Sequence, residues 1–236
     1  LGWRPLLSGL LAGAVLLTLS AGLLLSDPAP VYAADPTICY AGDDDGDRLV
    51  TINRTTGTPT TVIGSFGAAN IEARTLSLDG DTLYAANAST FGTVNITTGA
   101  YTTIGSFGTA SGYVDPNNDG DYSDQVLTSY LINDVDGLAI DPTSGIFYGS
   151  ERQGDAAAPD DVLIQINPLT GAHVPNAFGP NQDFVALKTS TLGPQGDPPA
   201  LLWDIDDLAV NPVDGQMYGV ANAVSNSSVA SDNLVA

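Results

Sequence analysis

The segment DGLAIDPTSGIFYG, residues 136–149, decides the fold of this chain. It places two short runs of strand-forming residues on either side of a Pro-Thr-Ser-Gly turn, in which the glycine can adopt a positive φ. The same pattern recurs as DDLAVNPVDGQMYG at residues 206–219 and, in a shorter form, as LSLDGDTLYA at residues 76–85. A β-hairpin that repeats along the chain predicts an all-β protein built from similar successive units.

A second hairpin alternates with the first. It reads LVTINRTTGTPTTVIGSFG at residues 49–67 and GTVNITTGAYTTIGSFG at residues 92–108, and a divergent third copy, VLIQINPLTG at residues 162–171, ends at Phe178-Gly179. Two hairpins per unit give four antiparallel strands, and the 44 residues from Tyr40 to Tyr84 match the length of a propeller blade. The sequence therefore predicts a β-propeller with four-stranded antiparallel blades; a β-sandwich and a solenoid are the alternatives.

The alternation of a DGLAIDPTSGIFYG hairpin with a VLIQINPLTGAHV hairpin resembles the propeller-like repeats of bacterial secreted and cell-wall-associated proteins. The resemblance implies a cell-surface or extracellular module that binds or adheres, without catalysis, to an extracellular protein, a glycan or the cell wall. The alternative is a propeller enzyme, similar to hydrolases or quinoproteins, whose active-site residues lie in a missing C-terminal part. Residues 34–236 hold about three and a half blades, with an insertion near residues 109–133, so we expect an incomplete propeller, the N-terminal fragment of a longer protein.

The N-terminal residues 1–33 have the pattern of a signal peptide. Arg4 precedes an apolar run at residues 6–25, and the sequence Val31-Tyr32-Ala33 supplies the small residues that a signal peptidase accepts. We expect a signal helix that is cleaved after Ala33, so that no membrane contact remains. An uncleaved anchor is the alternative, because the run could span a bilayer core of about 30 Å. Both readings place the rest of the chain outside the cytoplasm.

The charge of the chain excludes one class of partner. Its 27 acidic and 6 basic residues give a formal net charge of -21, whereas binding to nucleic acid requires Lys and Arg to replace the counterions of the phosphates. We therefore expect no nucleic acid partner. The single cysteine, Cys39, rules out an intramolecular disulfide, and its apolar neighbours Ile38 and Tyr40 predict that it is buried.

A cation loop is predicted within the insertion. Oxygen-bearing side chains at alternate positions around Gly120 have the spacing that wraps a chain around Ca²⁺. Val126 stands where an EF-hand would have a bidentate Glu, so Asp124 or a distant carboxylate would complete the ligand shell; a solvated Asp/Asn turn is the alternative. The expected role of the ion is structural, to order the loop. The candidate ligands are Asp115, Asn117, Asp119, Asp121 and Asp124.

No catalytic residue is predicted. The segment DDDGD at residues 43–47 is interpreted as a charged hairpin tip. Two pairs of aspartates begin equivalent strands of successive units near one end of the expected channel, and we interpret them as turn-forming residues rather than as an acid–base pair. The single histidine, His173, follows a turn, where an exposed side chain is expected, and one histidine cannot build a multi-histidine zinc site. The two pairs are Asp134 with Asp136, and Asp204 with Asp206.

Overall fold

The computed structural model describes residues 38–116, 122–153, 161–187, 205–223 and 231–235. Apart from two 3₁₀ turns, at Asp44–Gly46 and Tyr122–Asp124, all regular elements in these ranges are strands. They are β1 (Cys39–Asp43), β2 (Arg48–Ile52), β3 (Pro59–Ser65), β4 (Ile71–Leu76), β5 (Leu83–Asn87), β6 (Thr90–Val94), β7 (Tyr101–Ser106), β8 (Thr109–Val114), β9 (Val126–Leu131), β10 (Val135–Ile140), β11 (Phe147–Glu151), β12 (Val162–Ile166), β13 (Phe184–Ala186), β14 (Ile205–Val210), β15 (Met217–Ala223) and β16 (Ser231–Val235).

The strands form antiparallel sheets of two to four strands, which confirms the predicted all-β class. Two sheets are the expected four-stranded meanders, β4-β5-β6-β7 and β10-β11-β12-β13. Two others, β1-β2-β3 and β14-β15-β16, have three strands among the described residues. The hairpin β8-β9 occupies the predicted insertion. The predicted signal segment, residues 1–33, lies outside the described residues.

The turns between paired strands repeat one set of hydrogen bonds. In five of them a glycine N–H donates to the carbonyl oxygen of the Asn or Asp four residues earlier, for example Gly99 to Asn95 at 2.7 Å. The Asn or Asp side chain then accepts N–H groups within the turn, as Asn95 does from Thr97 at 2.9 Å. This arrangement requires a positive φ, and all five positions hold glycine. They are Gly57, Gly99, Gly145, Gly171 and Gly215, with φ from 70° to 80°.

These repeated turns lie at one end of the sheets. In an antiparallel meander, the turns that follow the first and third strands share one end, and the other connections share the opposite end. We call the first the turn end, which contains residues 53–58, 77–82, 95–100, 141–146, 167–172 and 211–216. Residues 53–58 belong to it because β1, β2 and β3 match the second to fourth strands of the four-stranded sheets. We call the opposite one the connection end. Its connections range from a tight turn at residues 88–89 to longer segments at 107–134, 152–161 and 187–204.

Neighbouring sheets meet through the repeated IGSFG sequence. Gly105 of β7 lies against the backbone of Thr170 in the next sheet, and Gly64 of β3 lies in the same way against Thr98. The carbonyl oxygen of Phe107 in the motif accepts the His173 N–H at 3.1 Å. In the first copy, Phe66 accepts the N–H of Tyr101 at 2.9 Å. The motif therefore recurs because each copy joins one sheet to the next.

The first strands of three sheets pack together. Strand β10 contacts both β4 and β14, and all of its residues are buried. An aromatic cluster fills the adjacent core, where Phe147 meets the ring of Tyr84 edge-on, with 4.9 Å between centroids. This packing places the beginnings of β4, β10 and β14 side by side at the connection end.

Two sequence expectations about this fold are wrong. The third copy of the second hairpin does not end at Phe178-Gly179; its last strand is β13, and turns with positive φ at Asn176 and Asn181 come before it. The chain here inserts a loop between the bridge at His173 and the strand. Cys39 is exposed rather than buried, because β1 is an edge strand of its sheet among the described residues.

We expect Gly105→Ala to destabilise the protein by about 1–3 kcal/mol, the usual cost of overpacking a close contact. The added Cβ would collide with the Thr170 carbonyl oxygen, which is backbone and cannot rotate away. Chemical denaturation of both proteins measures the difference. The matched control is Gly46→Ala, whose Cβ meets only the flexible side chain of Arg48. Equal stability of Gly105→Ala and the wild type would show that the sheets do not meet at this glycine.

Candidate functional site

The first strands of three sheets carry a β-bulge at the same position. The register shifts between Ile71 and Arg74 in β4, between Val135 and Gly137 in β10, and between Ile205 and Asp207 in β14. In each strand an acidic residue lies at the bulge and follows a buried β-branched residue. Bulges bend a strand and re-aim a side chain. The three bulge acids are Glu72, Asp136 and Asp206.

The sequence shows only part of this pattern. It marks Asp136 and Asp206 as equivalent and predicts turn-forming residues, whereas the structure places both at bulges. Glu72 does not stand out in the sequence, because its hairpin is the shorter copy and because the acid is Glu instead of Asp. The signal that could have found it is an isoleucine or valine followed directly by an acid: Ile71-Glu72, Val135-Asp136 and Ile205-Asp206.

Three carboxyl groups converge where β4 and β10 begin. Glu72, Asp134 and Asp136 each offer an oxygen, and these oxygens all lie within 4.8 Å of one another. Glu72 is exposed, Asp134 is half-buried and Asp136 is buried, so the group runs from the surface into the protein. The Arg152 Nε atom lies 2.9 Å from Asp134 Oδ2 and 3.4 Å from Asp136 Oδ2. We call these three acids the carboxylate cluster.

Asp136 is the unusual member of the carboxylate cluster. The residue is only 4% exposed, and neither of its carboxyl oxygens has a hydrogen-bond partner among the described residues. Burial, and then the neighbouring Glu72 carboxyl group, raise the pKa of Asp136 to about 8, although the charge of Arg152 opposes the shift. Without a bound metal ion, this side chain therefore holds a proton near neutral pH, even beside Arg152.

A second buried acid, Glu151, holds the backbone of Asp134 in place. Glu151 is fully buried, and its two oxygens accept the N–H groups of Asn133 and Asp134, each at 2.9 Å. Burial raises the pKa of Glu151 to about 7, against the two backbone hydrogen bonds that lower it. Glu151 thus fixes the start of β10, and the carboxylate cluster depends on it.

Further polar contacts tie the fourth sheet to the same place. Asp161 accepts the N–H of Ile205 at 2.8 Å, and the Ser150 hydroxyl donates to the Ile205 carbonyl oxygen at 3.0 Å. Burial raises the pKa of Asp207, whereas its hydrogen bond from Leu208 and the charge of Arg74 lower it. Because Arg74 belongs to β4 and Asp207 to β14, charges from the second and fourth sheets act on one another across β10.

The chemistry of the carboxylate cluster is that of a hard-cation site. Its donors are carboxylate oxygens alone, which suit Ca²⁺ or Mg²⁺ and not the softer metals that select sulfur or imidazole. A cavity of about 140 Å³, lined by Asp43, Asp47 and Glu72 among others, opens beside it. This buried acidic group is compatible with calcium binding.

The predicted cation loop is described only at its two ends. Asp115 is buried at the end of β8, and Asp124 closes the 3₁₀ turn before β9. The pairing of Val114 with Val126 brings the two ends of the loop together. Asn117, Asp119 and Asp121 lie outside the described residues, so the proposed ligand set stays a prediction.

His173 has a structural environment. Its Nδ1 lies 2.7 Å from the Phe107 carbonyl oxygen, and its Nε2 lies 3.5 Å from Asp183 Oδ2. Asp183 in turn accepts the Ser111 N–H at 2.8 Å, which ties the hairpin β8-β9 to the third sheet. The side chain is mostly buried, contrary to the exposed position that the sequence predicted.

Several solved structures are similar to this chain at low sequence identity. The extracellular domain of a hybrid two-component system from B. thetaiotaomicron is 13% identical and has a TM-score of 0.39; the match covers 80% of this chain and 19% of that one. Hydrazine synthase from Kuenenia stuttgartiensis is 13% identical, with 85% and 59% covered and a TM-score of 0.41. Regucalcin from Agrobacterium tumefaciens, a calcium-binding protein, is 12% identical, with 82% and 65% covered and a TM-score of 0.35.

This chain spans less than two thirds of the length of each of these three proteins. TM-scores below 0.5 do not assign their activities to it. No protein-family model and no curated protein matches the sequence. None of the helices in the described part of the chain is long and apolar enough to cross a membrane.

We expect the metal-free protein to lose stability as the pH rises from 6 to 9. The pKa of Asp136 is about 8 in the folded protein and near 3.8 in the unfolded chain. Between these pH values the folded state therefore binds a proton that the unfolded state does not. The free energy of unfolding therefore falls as the pH rises towards the folded pKa. Ordinary carboxyl groups are already ionised above pH 6 and do not contribute.

Thermal melts in chelator at several pH values measure this slope. The expected fall in Tm is several degrees, and it should be smaller in Asp136→Asn, a neutral side chain of the same shape. The remaining slope in that variant belongs to Glu151, whose pKa is about 7. A wild type and an Asp136→Asn variant with parallel pH profiles would contradict the assignment.

Proposed function

We propose that this chain is a non-catalytic binding module of the β-propeller type that acts outside the cell. The observation that carries the proposal is the difference between the two ends of its sheets. The turn end carries short turns except in the segment 167–183 before β13, whereas the connection end carries the bulge acids and the connections that differ most in length. Binding residues are concentrated on variable loops that a rigid scaffold positions. The connection end is therefore the binding face.

The insertion also carries exposed apolar surface. On β9 the side chains of Leu127 and Leu131 are 54% and 59% exposed, and they lie on one side of the two-stranded hairpin β8-β9. Ser129 lies between them, opposite Ser111 on β8. Apolar side chains on a mostly polar surface are typical of interaction sites. They supply a contact area that an extracellular protein, a glycan or the cell wall would cover.

The export pattern of residues 1–33 supports a location at the cell surface or beyond it. The net charge of -21 is consistent with such a module, because it disfavours anionic partners and keeps the surface soluble. We propose no nucleic acid partner and no membrane contact after signal cleavage. Closure of a complete ring of blades belongs to this proposal and would require residues beyond those described.

In this proposal, calcium binding by the predicted loop orders the insertion. Asp115 is buried directly after β8, and Asp124 lies two residues before β9, which pairs with β8. A cation bound by these residues together with Asn117, Asp119 and Asp121 would fix a long connection on the binding face. Its role would be structural.

A propeller enzyme is the second candidate, and one observation favours it. A buried carboxyl group that keeps its proton near neutral pH, beside two other carboxyl groups, is suited to general acid catalysis. Asp136 has this character in the metal-free protein. The candidate stays second because the active-site residues that the sequence leads us to expect would lie outside this chain.

The proposed binding role is tested by changing exposed apolar residues on the insertion and, as a control, at the turn end. We expect Leu127→Thr combined with Leu131→Thr to lower co-sedimentation of the purified protein with whole bacterial cells or purified peptidoglycan, or its signal on a glycan panel, at least fivefold. The matched control is Leu169→Thr with Val213→Thr, which changes residues 87% and 79% exposed at the turn end. Equal loss in both double variants, or binding by neither the wild type nor the variants, would contradict the proposal.

The calcium loop is tested by thermal melts with millimolar Ca²⁺ and with chelator. A ligand that binds only the native state stabilises it by about 2.7 kcal/mol at a hundredfold excess over its Kd, so Tm should rise in Ca²⁺. Asp119→Ala should respond less than the wild type. If the variant responds as fully as the wild type, the loop is a polar turn without an ion.

A further inference from the structure

We propose that Glu72, Asp134 and Asp136 bind one Ca²⁺ ion that bridges the first strands of the second and third sheets. The site is separate from the predicted loop at residues 115–124 and does not depend on the proposed binding function. It uses residues of β4 and of β10 with the segment before it, so a bound ion would join two sheets where they already pack.

The lack of hydrogen bonds to Asp136 is the observation that points to a ligand. Its two oxygens are buried, have no hydrogen bond among the described residues, and belong to the group of oxygens that lie within 4.8 Å of one another. A buried carboxylate without a hydrogen bond is costly, and buried charges in proteins are paired or coordinate metals. The Arg152 Nε atom lies 2.9 Å from Asp134 Oδ2 and 3.4 Å from Asp136 Oδ2, so two carboxylates share this guanidinium. A metal ion would give Asp136 the direct coordination that this shared ion pair does not.

The local charge fits a divalent ion. Three ionised carboxylates and the guanidinium of Arg152 leave two negative charges, which one divalent cation would balance. Arg152 has a side chain that is 36% exposed, so it can keep its bond to Asp134 while an ion occupies the space towards Glu72.

The donor set favours Ca²⁺ over Mg²⁺. Calcium accepts six to eight oxygens in irregular geometry, whereas Mg²⁺ demands a tight octahedron and gives up its water reluctantly. Here the three acids come from two sheets, one of them exposed and one buried, which is an irregular set. Glu72 also lines a cavity of about 140 Å³.

Isothermal titration of the chelator-stripped protein with CaCl₂ tests the site. Asp136→Asn should weaken the binding at this site at least tenfold, and Glu72→Gln should weaken it by a smaller factor because Glu72 is exposed. Both titrations are repeated in an Asp119→Ala background, in which the predicted loop at residues 115–124 no longer contributes to Ca²⁺ binding. The carboxylate cluster is then measured alone. The control is Asp81→Asn, an exposed acid at the turn end, which should bind as the wild type does.

Stability separates an ion site from a merely structural aspartate. In chelator, Asp136→Asn should melt at or above the wild type, because it removes a buried acid; in CaCl₂ the wild type should melt higher. A purely structural Asp136 would give the same difference in both solutions. Unchanged Ca²⁺ affinity in Asp136→Asn and Glu72→Gln would overturn the proposal, as would binding of MgCl₂ without any binding of CaCl₂. If Asp136→Asn fails to fold, Glu72→Gln at the surface decides the result.

Discussion

The close packing of β10 between β4 and β14 is the contact on which the rest of the structure depends. Every residue of β10 is buried, so this strand can tolerate charge only where the chain leaves the regular ladder. The bulge at Asp136 is such a place, and the bulges at Glu72 in β4 and Asp206 in β14 occupy the equivalent positions of the strands packed against β10. The packing that buries β10 thus also brings Glu72 close to Asp136. A β-bulge bends its strand and re-aims a side chain.

The free-energy cost of burying carboxyl groups explains the hydrogen bonds made by the neighbouring buried acids. A carboxylate in the interior must be protonated, paired or hydrogen-bonded. Glu151 receives two backbone N–H groups and Asp161 receives that of Ile205, so these acids hold strand starts in place. Asp136 has no hydrogen bond of this kind among the described residues. Glu151 and Asp161 are therefore buried acids with a structural role, whereas no hydrogen bond among the described residues explains the burial of Asp136.

The hairpins could be predicted from sequence because their turns are local. Asn95 and Gly99 form the turn within five residues, and the same five-residue pattern recurs along the chain, so the period and the antiparallel strands follow. The carboxylate cluster could not be predicted, since Glu72 and Asp136 are far apart in sequence and meet only after the sheets pack. The predictions from local sequence are wrong where tertiary packing decides the outcome. The third copy of the second hairpin continues through an inserted loop to β13, and Cys39 is exposed on an edge strand. The pair Asp134 and Asp136 is visible in the sequence, where it predicts a turn. Glu72 joins the pair only through the packing of β4 against β10.

The two ends of the sheets differ in their contacts and in the length of their connections. At the turn end, the five turn glycines have a positive φ, and two of them, Gly99 and Gly171, also lie against the backbone of the preceding sheet, where an added side chain would collide. At the connection end, the segments 107–134, 152–161 and 187–204 are longer. The bulge acids lie there as well, and Asp136 among them is buried. The longest connections and the bulge acids therefore occur together at the connection end.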